Sequence, residues 1–331
     1  MPDPVEVAFH RAAAVLFDRS RKTVIAVSGG GDSVALLHLV ARLAPRRRPE
    51  LVVAYLDHAL RRGSGADARF VTRLAGSLGL PSLVEKQSVR AAKRKDESLE
   101  EAARRVRRAF LVHAAEAVGA EVIATGHTLD DQAETILMRL ARGAGPSALA
   151  AMAAAGPGPF VKPLLGIERD ALRVWLKKER LPFRDDPSNQ SLAFDRNRVR
   201  HLVVPILANA LNPAAARHLV EAAARLREDA ALLDMLARER FEASSAQRAT
   251  GLTLDASTLA SLPHPLAARV ARIALAAAGC DPRRISSRHV EALLGLVRPG
   301  PGSSLDLPNG IVSRRRGRLV EFRRCDSPAK S

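Results

Sequence analysis

Apolar and polar positions in the first part of the chain follow two rhythms. Residues 23–27, 51–56 and 121–125 are short, mostly apolar runs with the length of buried strands, and a weaker one lies at 83–84. Between them, residues 33–43, 66–78, 98–118 and 129–142 repeat apolar side chains every three or four positions, as amphipathic helices do. In the longest of these the apolar set is Leu99, Ala102, Val106, Phe110, Ala114 and Ala117, with Arg104, Arg107 and Arg108 grouped on another face. Strands alternating with helices make β-α-β units, so the pattern predicts an α/β fold with a doubly wound, mostly parallel sheet.

Later in the chain the rhythm weakens. Residues 143–163 are rich in Gly, Pro and Ala and read as a loop or crossover that adds nothing to the sheet. A short helix is expected around Trp175, and residues 185–200 read as a polar loop. The composition changes at 205–212: residues 212–241 are rich in Ala, Leu and Arg with a helical period, and 252–322 mix two helices with a late strand-like stretch at 305–322. The expected plan is an α/β domain at 1–205, a helical linker at 206–245 and a smaller C-terminal α+β domain at 246–331.

Charge narrows the partner. The 331 residues carry 52 Lys and Arg against 35 Asp and Glu, a net charge of +17, and both parts are basic, +10 over 1–205 and +7 over 206–331. Such an excess favours a polyanion, nucleic acid first, because each cation set against a phosphate releases a counterion. Only 8 of the 52 cations are Lys, so solvated arginine on ordinary surface is the other reading. Aromatic residues make up 3% of the chain, which argues for recognition of RNA by charge and shape over base stacking. No run approaches the roughly 20 apolar residues that cross a bilayer, so no membrane is expected. Two cysteines, Cys280 and Cys325, are too few for a disulfide scaffold, and a reduced, cytoplasmic setting is expected.

The sharpest chemistry lies directly after the first strand. Ser28, Gly29, Gly30, Gly31, Asp32 and Ser33 form a glycine turn that runs into a helix start. Bare glycines let backbone amides approach an anion, and the positive end of the following helix favours it. The loop has neither the GK[ST] of a Walker A nor a GxGxxG spacing. An aspartate inside a phosphate cradle repels the phosphate unless a divalent cation lies between them, so Asp32 predicts Mg²⁺.

This loop resembles the SGGxDS loop of the PP-loop ATP pyrophosphatases, which implies attack on the α-phosphate of ATP with release of pyrophosphate. Four more segments are similar to bacterial tRNA(Ile)-lysidine synthetases. They are Asp57-His58-Ala59-Leu60-Arg61, the helix 101–107 with its E-x-A-R-x-x-R pattern, the stretch 124–135 reading ATGHTLDDQAET, and Asp186-Pro187-Ser188-Asn189 with Arg196-Asn197-Arg198-Val199-Arg200. Arg108 stands where that family commonly has Tyr, and the chain lacks the length of relatives with a second C-terminal domain. The resemblance implies ATP and L-lysine as substrates, with lysine ligated to C2 of the wobble cytidine of a tRNA(Ile) with anticodon CAU through an adenylated tRNA; AMP and pyrophosphate leave and the product is lysidine. It leaves room for a homodimer.

Asp130, Asp131 and Glu134 put three carboxylates within five residues at a helix start, inside a basic domain. They read as a pocket for a cationic group, which the resemblance makes lysine, with Asp131 and Glu134 assisting catalysis. The other reading is a capping box of Thr128 and Asp131 with ordinary dipole compensation, which covers Asp131 and part of Asp130 but does not require Glu134. His127 is assigned to the ATP site by the resemblance, or is a hydrogen-bonded loop histidine. Arg107 is the arginine of its helix best suited to charge building on the α-phosphate; the alternative is a solvated face paired with Glu100 and Glu101. Arg196, Arg198 and Arg200 are expected to meet tRNA, or to be plain surface charge.

Rival activities fit less well. A tRNA thiolase of the same superfamily needs a reactive thiol or a cysteine-held cluster, and residues 1–279 contain no cysteine. Amidotransferase relatives need an ammonia source with a nucleophilic cysteine. A non-enzymatic RNA or nucleotide binder is the rival from another class, and the intact loop and carboxylate run weigh against it.

Overall fold

The computed structural model describes residues 2–17, 22–44, 46–59, 64–150, 152–156, 158–185, 190–248, 251–282, 284–297 and 304–324. Two compact units, Met1–Ala224 and Arg225–Ser331, divide the chain.

In the first unit, strands β1 (Lys22–Ala26), β2 (Glu50–Asp57), β3 (Ser82–Lys86), β4 (Val122–Thr125) and β5 (Phe160–Val161) form a parallel sheet in the order β3-β2-β1-β4-β5. Its helices are α1 (Pro4–Leu16), α2 (Gly31–Ala41), α3 (Ser64–Ser77), the short α4 (Val89–Ala92), α5 (Leu99–Val118), α6 (Leu129–Ala141), the short α7 (Pro146–Leu149) and α8 (Arg169–Lys178). Strand alternation sends Ile25, Leu51, Val53 and Tyr55 into a core shared with α1, α2, α3 and α8. Val24, Val52, Ala54, Leu56 and Ile123 pack on the other face with Val106, Phe110 and Ala114 of α5. Burial on both faces is why these strands read as apolar runs instead of alternating ones.

Three local findings depart from the sequence reading. Residues 143–163 do contribute a strand: β5 pairs Phe160 with Ile123 and Val161 with Ala124. Two residues are too few to show any period, and only the neighbouring strand defines them. The amino-terminal helix α1 is also additional; Asp3 caps it through the Val5 amide at 3.0 Å, and Phe9 anchors it in the core. The expected polar loop at 185–200 ends instead in a helix, α9 (Asp195–Arg198), which continues through a π-helical turn at Val199–Val203 into α10 (Val204–Ala210). Pro205 has no amide hydrogen to donate to the preceding turn, which accounts for the widened turn there.

Helix α11 (Ala215–Ser244) has Val220 and Ala223 against Ile136 in the first unit, and Ala237 and Phe241 in the core of the second. The second unit is α+β. Strands β6 (Ser245–Arg248), β7 (Gly251–Asp255), β8 (Ser304–Leu307), β9 (Ile311–Arg316) and β10 (Leu319–Arg324) form an antiparallel sheet in the order β6-β7-β10-β9-β8. Leu252, Leu254, Val320 and Phe322 alternate inward onto helices α12 (Ala256–Ser261), α13 (His264–Ala277) and α14 (Ser287–Val297). The sequence reading expected two helices here; the third, α12, is short and capped by Asp255 through the Ser257 amide at 2.8 Å.

Candidate active site

The order of the first sheet reverses between β1 and β4, and open α/β sheets bind ligands at the carboxyl ends of the strands at such a reversal. Two loops meet there, residues 27–30 after β1 and 126–128 after β4. In the first, Gly29 has φ +87°, a conformation that costs glycine nothing, and its carbonyl accepts the Arg184 amide at 2.9 Å. Ser33 braces the turn from inside: its hydroxyl accepts from the Ser28 amide at 3.1 Å and donates to the Gly30 carbonyl at 2.9 Å. Gly30, at the N-cap of α2, offers no side-chain bond, so the first amides of that helix keep their donors for a ligand.

The second loop is pressed against the first. A Cβ on Gly126 would stand 3.1 Å from the backbone of Asp32 and Ser33, tight enough that the two loops would have to part by a few tenths of an ångström. Glycine at 126 therefore lets the two loops approach this closely. His127 follows, its Nδ1 2.9 Å from the Thr125 hydroxyl. Burial drives its pKa down to about 4; the charges of Arg107, Arg196 and Arg104 add to this against the opposing pull of Asp131, so the ring is neutral near pH 7.

Helix α6 then presents its carboxylates. Thr128 and Asp131 form the capping box: the Thr128 amide donates to Asp131 Oδ2 at 2.8 Å, and the Asp131 amide to the Thr128 hydroxyl at 3.4 Å. The same carboxylate carries ionic contacts on its other oxygen, Oδ1, which accepts from Arg169 Nη2 at 2.8 Å and Arg196 Nη2 at 2.9 Å. Capping and charge pairing are thus divided between the two oxygens of one side chain. Glu134, 1% exposed, accepts from Arg200 Nε and Arg196 Nε, each at 2.7 Å, and from Arg169 Nη1 at 3.3 Å. Asp130 Oδ2 accepts the backbone amide of Arg169 at 2.7 Å, and Asp32 Oδ2 accepts from Arg169 Nε at 3.1 Å.

Four carboxylates and three guanidiniums therefore form one partly buried network. Burial opposes charge on Asp131, but Arg196, Arg169 and the Thr128 amide outweigh it and hold its pKa below the ordinary carboxylate value. At Asp32 burial wins: its pKa is raised despite Arg169, with Asp131 adding repulsion. For Arg169 and Arg196 the surrounding carboxylates overcome burial and strengthen the cationic form.

The residues singled out in the sequence are distributed unevenly around this network. Asp32, Asp130, Asp131, Glu134, Arg196 and Arg200 are drawn into it. Arg196 and Arg200 are one turn apart on the helical stretch that replaces the expected loop, and they face the carboxylates, not solvent. Arg198 points elsewhere, is exposed, and bonds Asp195 and the Leu192 carbonyl. Arg107 is exposed on α5, and its charge is felt at His58, His127 and Asp131. The alternative pairing of that arginine face with Glu100 and Glu101 is not what Glu101 does: it closes a capping box with Ser98. Leu60, Arg61, residues 186–189 and Cys325 lie outside the described residues. Arg169 is the residue that sequence reasoning missed. One signal was available: a cation in the first turn of a helix opposes the dipole and calls for an anion nearby.

Among the described residues no group of three His, Cys, Asp or Glu side chains is arranged to hold a metal ion unaided. A single carboxylate beside a phosphate cradle is nonetheless the donor set Mg²⁺ uses with nucleotides, with phosphate oxygens and waters completing the shell. Asp32 fits that chemistry.

The glycine loop at the reversal of a parallel sheet defines a protein of the PP-loop class, and the PP-loop domain family matches residues 5–207. A second family, the TilS substrate binding domain, matches residues 254–320. Curated relatives include the tRNA(Ile)-lysidine synthases of Geobacter sulfurreducens (42% identity, 93% of this chain and 66% of that protein) and Thermus thermophilus (40%, 89% and 55%). Another, from Methylobacterium sp., is 40% identical over 90% of this chain and 87% of its own length. The chain belongs to the tRNA(Ile)-lysidine synthase family. It spans about two thirds and about half of the lengths of the Geobacter and Thermus proteins. Among solved structures, the U34-tRNA thiolase NcsA from Methanococcus maripaludis, solved with its [4Fe-4S] cluster, shares the fold at a TM-score of 0.55 and 18% identity, covering 68% of this chain and 80% of that one.

Proposed function

We propose that the protein ligates L-lysine to C2 of the wobble cytidine of a tRNA(Ile) with anticodon CAU, consuming ATP and releasing pyrophosphate and AMP. The observation that carries this reading is the juxtaposition at one sheet reversal of an open phosphate loop and a mixed-charge pocket, in a chain of this family.

In the first step the cytosine O2 attacks the α-phosphorus and pyrophosphate departs. The amides at the start of α2, with Ser28 and Ser33 holding the turn, bind the phosphates. Bound Mg²⁺ on Asp32 would neutralise charge on the phosphate oxygens. Arg107 adds positive charge from the α5 side, and neutral His127 is a hydrogen-bonding group toward the nucleotide. In the second step the lysine ε-nitrogen attacks C2, the C2–O bond to the adenylate breaks, and AMP leaves. The amine must be unprotonated to attack although its ordinary pKa is about 10.4. Asp130 is the more solvent-open carboxylate of the α6 group, with a side chain 29% exposed, and takes the proton.

Lysine brings two ammonium groups and a carboxylate. Asp130, Asp131 and Glu134 receive the cationic end, and Arg196 and Arg200 supply charge for the anionic one. Arg198, on the exposed face, and the basic surface of both units hold the tRNA, and a homodimer would leave this chemistry unchanged. Incubation with Mg–ATP, labelled lysine and a tRNA(Ile) transcript of anticodon CAU should place label in the tRNA. Tight ATP binding without incorporation would replace this reading with that of a nucleotide-binding protein.

A further inference from the structure

One guanidinium touches every carboxylate of the site. Through its backbone amide on Asp130 at 2.7 Å, Arg169 is fixed at the start of α8, while its side chain spans Asp32 on α2 (Nε, 3.1 Å), Asp131 (Nη2, 2.8 Å) and Glu134 (Nη1, 3.3 Å) on α6. Arg196 and Arg200 hydrogen-bond Asp131 and Glu134; among the described contacts, the bond that crosses to the phosphate loop is made by Arg169. We propose that Arg169 is a positioning residue that couples the nucleotide at the loop to the opening of the Asp131–Glu134 pocket. This rests on the reading above, in which phosphate sits at the loop and an amine at the carboxylates.

The physical basis is competition for one rigid fork. Without nucleotide, Asp32, Asp131 and Glu134 share the Arg169 guanidinium, so an incoming ammonium meets carboxylate oxygens that already have donors. A triphosphate at the start of α2 brings several negative charges beside Asp32, and any cation that Asp32 ligates removes that carboxylate as a partner. The phosphate charge draws the guanidinium toward the loop, and the loss of Asp32 as a partner frees its Nε to turn onto the phosphates. Because the fork is planar and moves as a unit, bonds gained at the loop are lost at Asp131 Oδ1 and Glu134 Oε1. Those two oxygens then have lone pairs open to an ammonium, with Arg196 and Arg200 still holding the carboxylates in place. Nucleotide should therefore strengthen lysine binding, and by linkage lysine should strengthen nucleotide binding by the same factor.

The test is calorimetric titration of L-lysine into the full chain, with and without Mg²⁺ and α,β-methylene-ATP, which cannot release pyrophosphate. Wild type should bind lysine about tenfold more tightly with the analogue, within the usual range of coupling between sites. Arg169→Gln should bring that ratio close to one while binding lysine more tightly than wild type without nucleotide, since the pocket loses a competing cation. A purely structural role would weaken both. Arg169→Lys keeps a charge but not the fork; it should fold if the glutamine variant does not, and should show reduced coupling. An unchanged ratio in either variant, or a ratio of one in wild type, overturns the proposal. Failure of wild type to bind lysine under any condition overturns the functional reading beneath it.

Discussion

The phosphate loop and the carboxylate–arginine network lie side by side, yet they are built on opposite principles. The loop is made of backbone: glycines, two serines that brace each other over five residues, and helix amides left without a side-chain cap. The network is made of long side chains from four separate stretches, 32, 130–134, 169 and 196–200, and is internally neutralised apart from one excess carboxylate. The loop can receive an anion without rearranging. The network can receive a cation only by exchanging one of its own partners, and that makes it the element able to sense what its neighbour has bound.

Three experiments separate the two designs. Glu134→Ala should have the largest effect, because it leaves Arg196 and Arg200 without their closest anion; removing one partner of a buried pair typically costs about 3–5 kcal/mol. Urea unfolding measures it, and a loss below about 1 kcal/mol would show that the arginines escape to water at little cost. The next effect is one of pH. His127 binds its proton only near pH 4 in the fold, against 6.5 for an ordinary histidine, so between those values the unfolded chain holds the extra proton. Stability should fall as the pH drops through that window, by up to about 1.4 kcal/mol per pH unit, and this term should vanish above it. Asp131 behaves differently: its contribution is present above the ordinary carboxylate pKa and is lost as the pH falls toward its lowered value, so acid titration separates the two. His127→Gln should flatten the upper window alone, and an unaltered slope there would assign the loss to other groups. Gly126→Ala should have the smallest effect on folding and a local one on binding. Its methyl would push the β4 loop off the backbone of Asp32 and Ser33 and weaken nucleotide binding by about tenfold, some 1.4 kcal/mol, with the network intact. Unchanged affinity would mean that the phosphate loop does not depend on this contact.

The comparison also explains which parts of the molecule could be read from the chain. The strands of the first unit, the helices between them and the loop at 28–33 are governed by periodicity and by glycine, which act over a few residues. The capping box of Thr128 and Asp131 was legible for the same reason, since its partners are three positions apart. That Asp131 also pairs with arginines was not legible, because a sequence does not display the two oxygens of a carboxylate separately; in the fold, Oδ2 serves the cap and Oδ1 the guanidiniums. The two-residue strand β5 was hidden because it exists only as a partner of β4.

By itself the sequence determined a doubly wound domain, a phosphate loop after its first strand, a cluster of carboxylates at the start of α6, and a basic chain that favours a polyanion. Tertiary structure alone decided that Arg196 and Arg200 turn toward those carboxylates and that Arg169 joins them to Asp32. The reason is range. Arg169 is 137 residues from Asp32 and Arg200 is 66 from Glu134, and no local propensity encodes which distant charge a flexible side chain will meet once both are withdrawn from water.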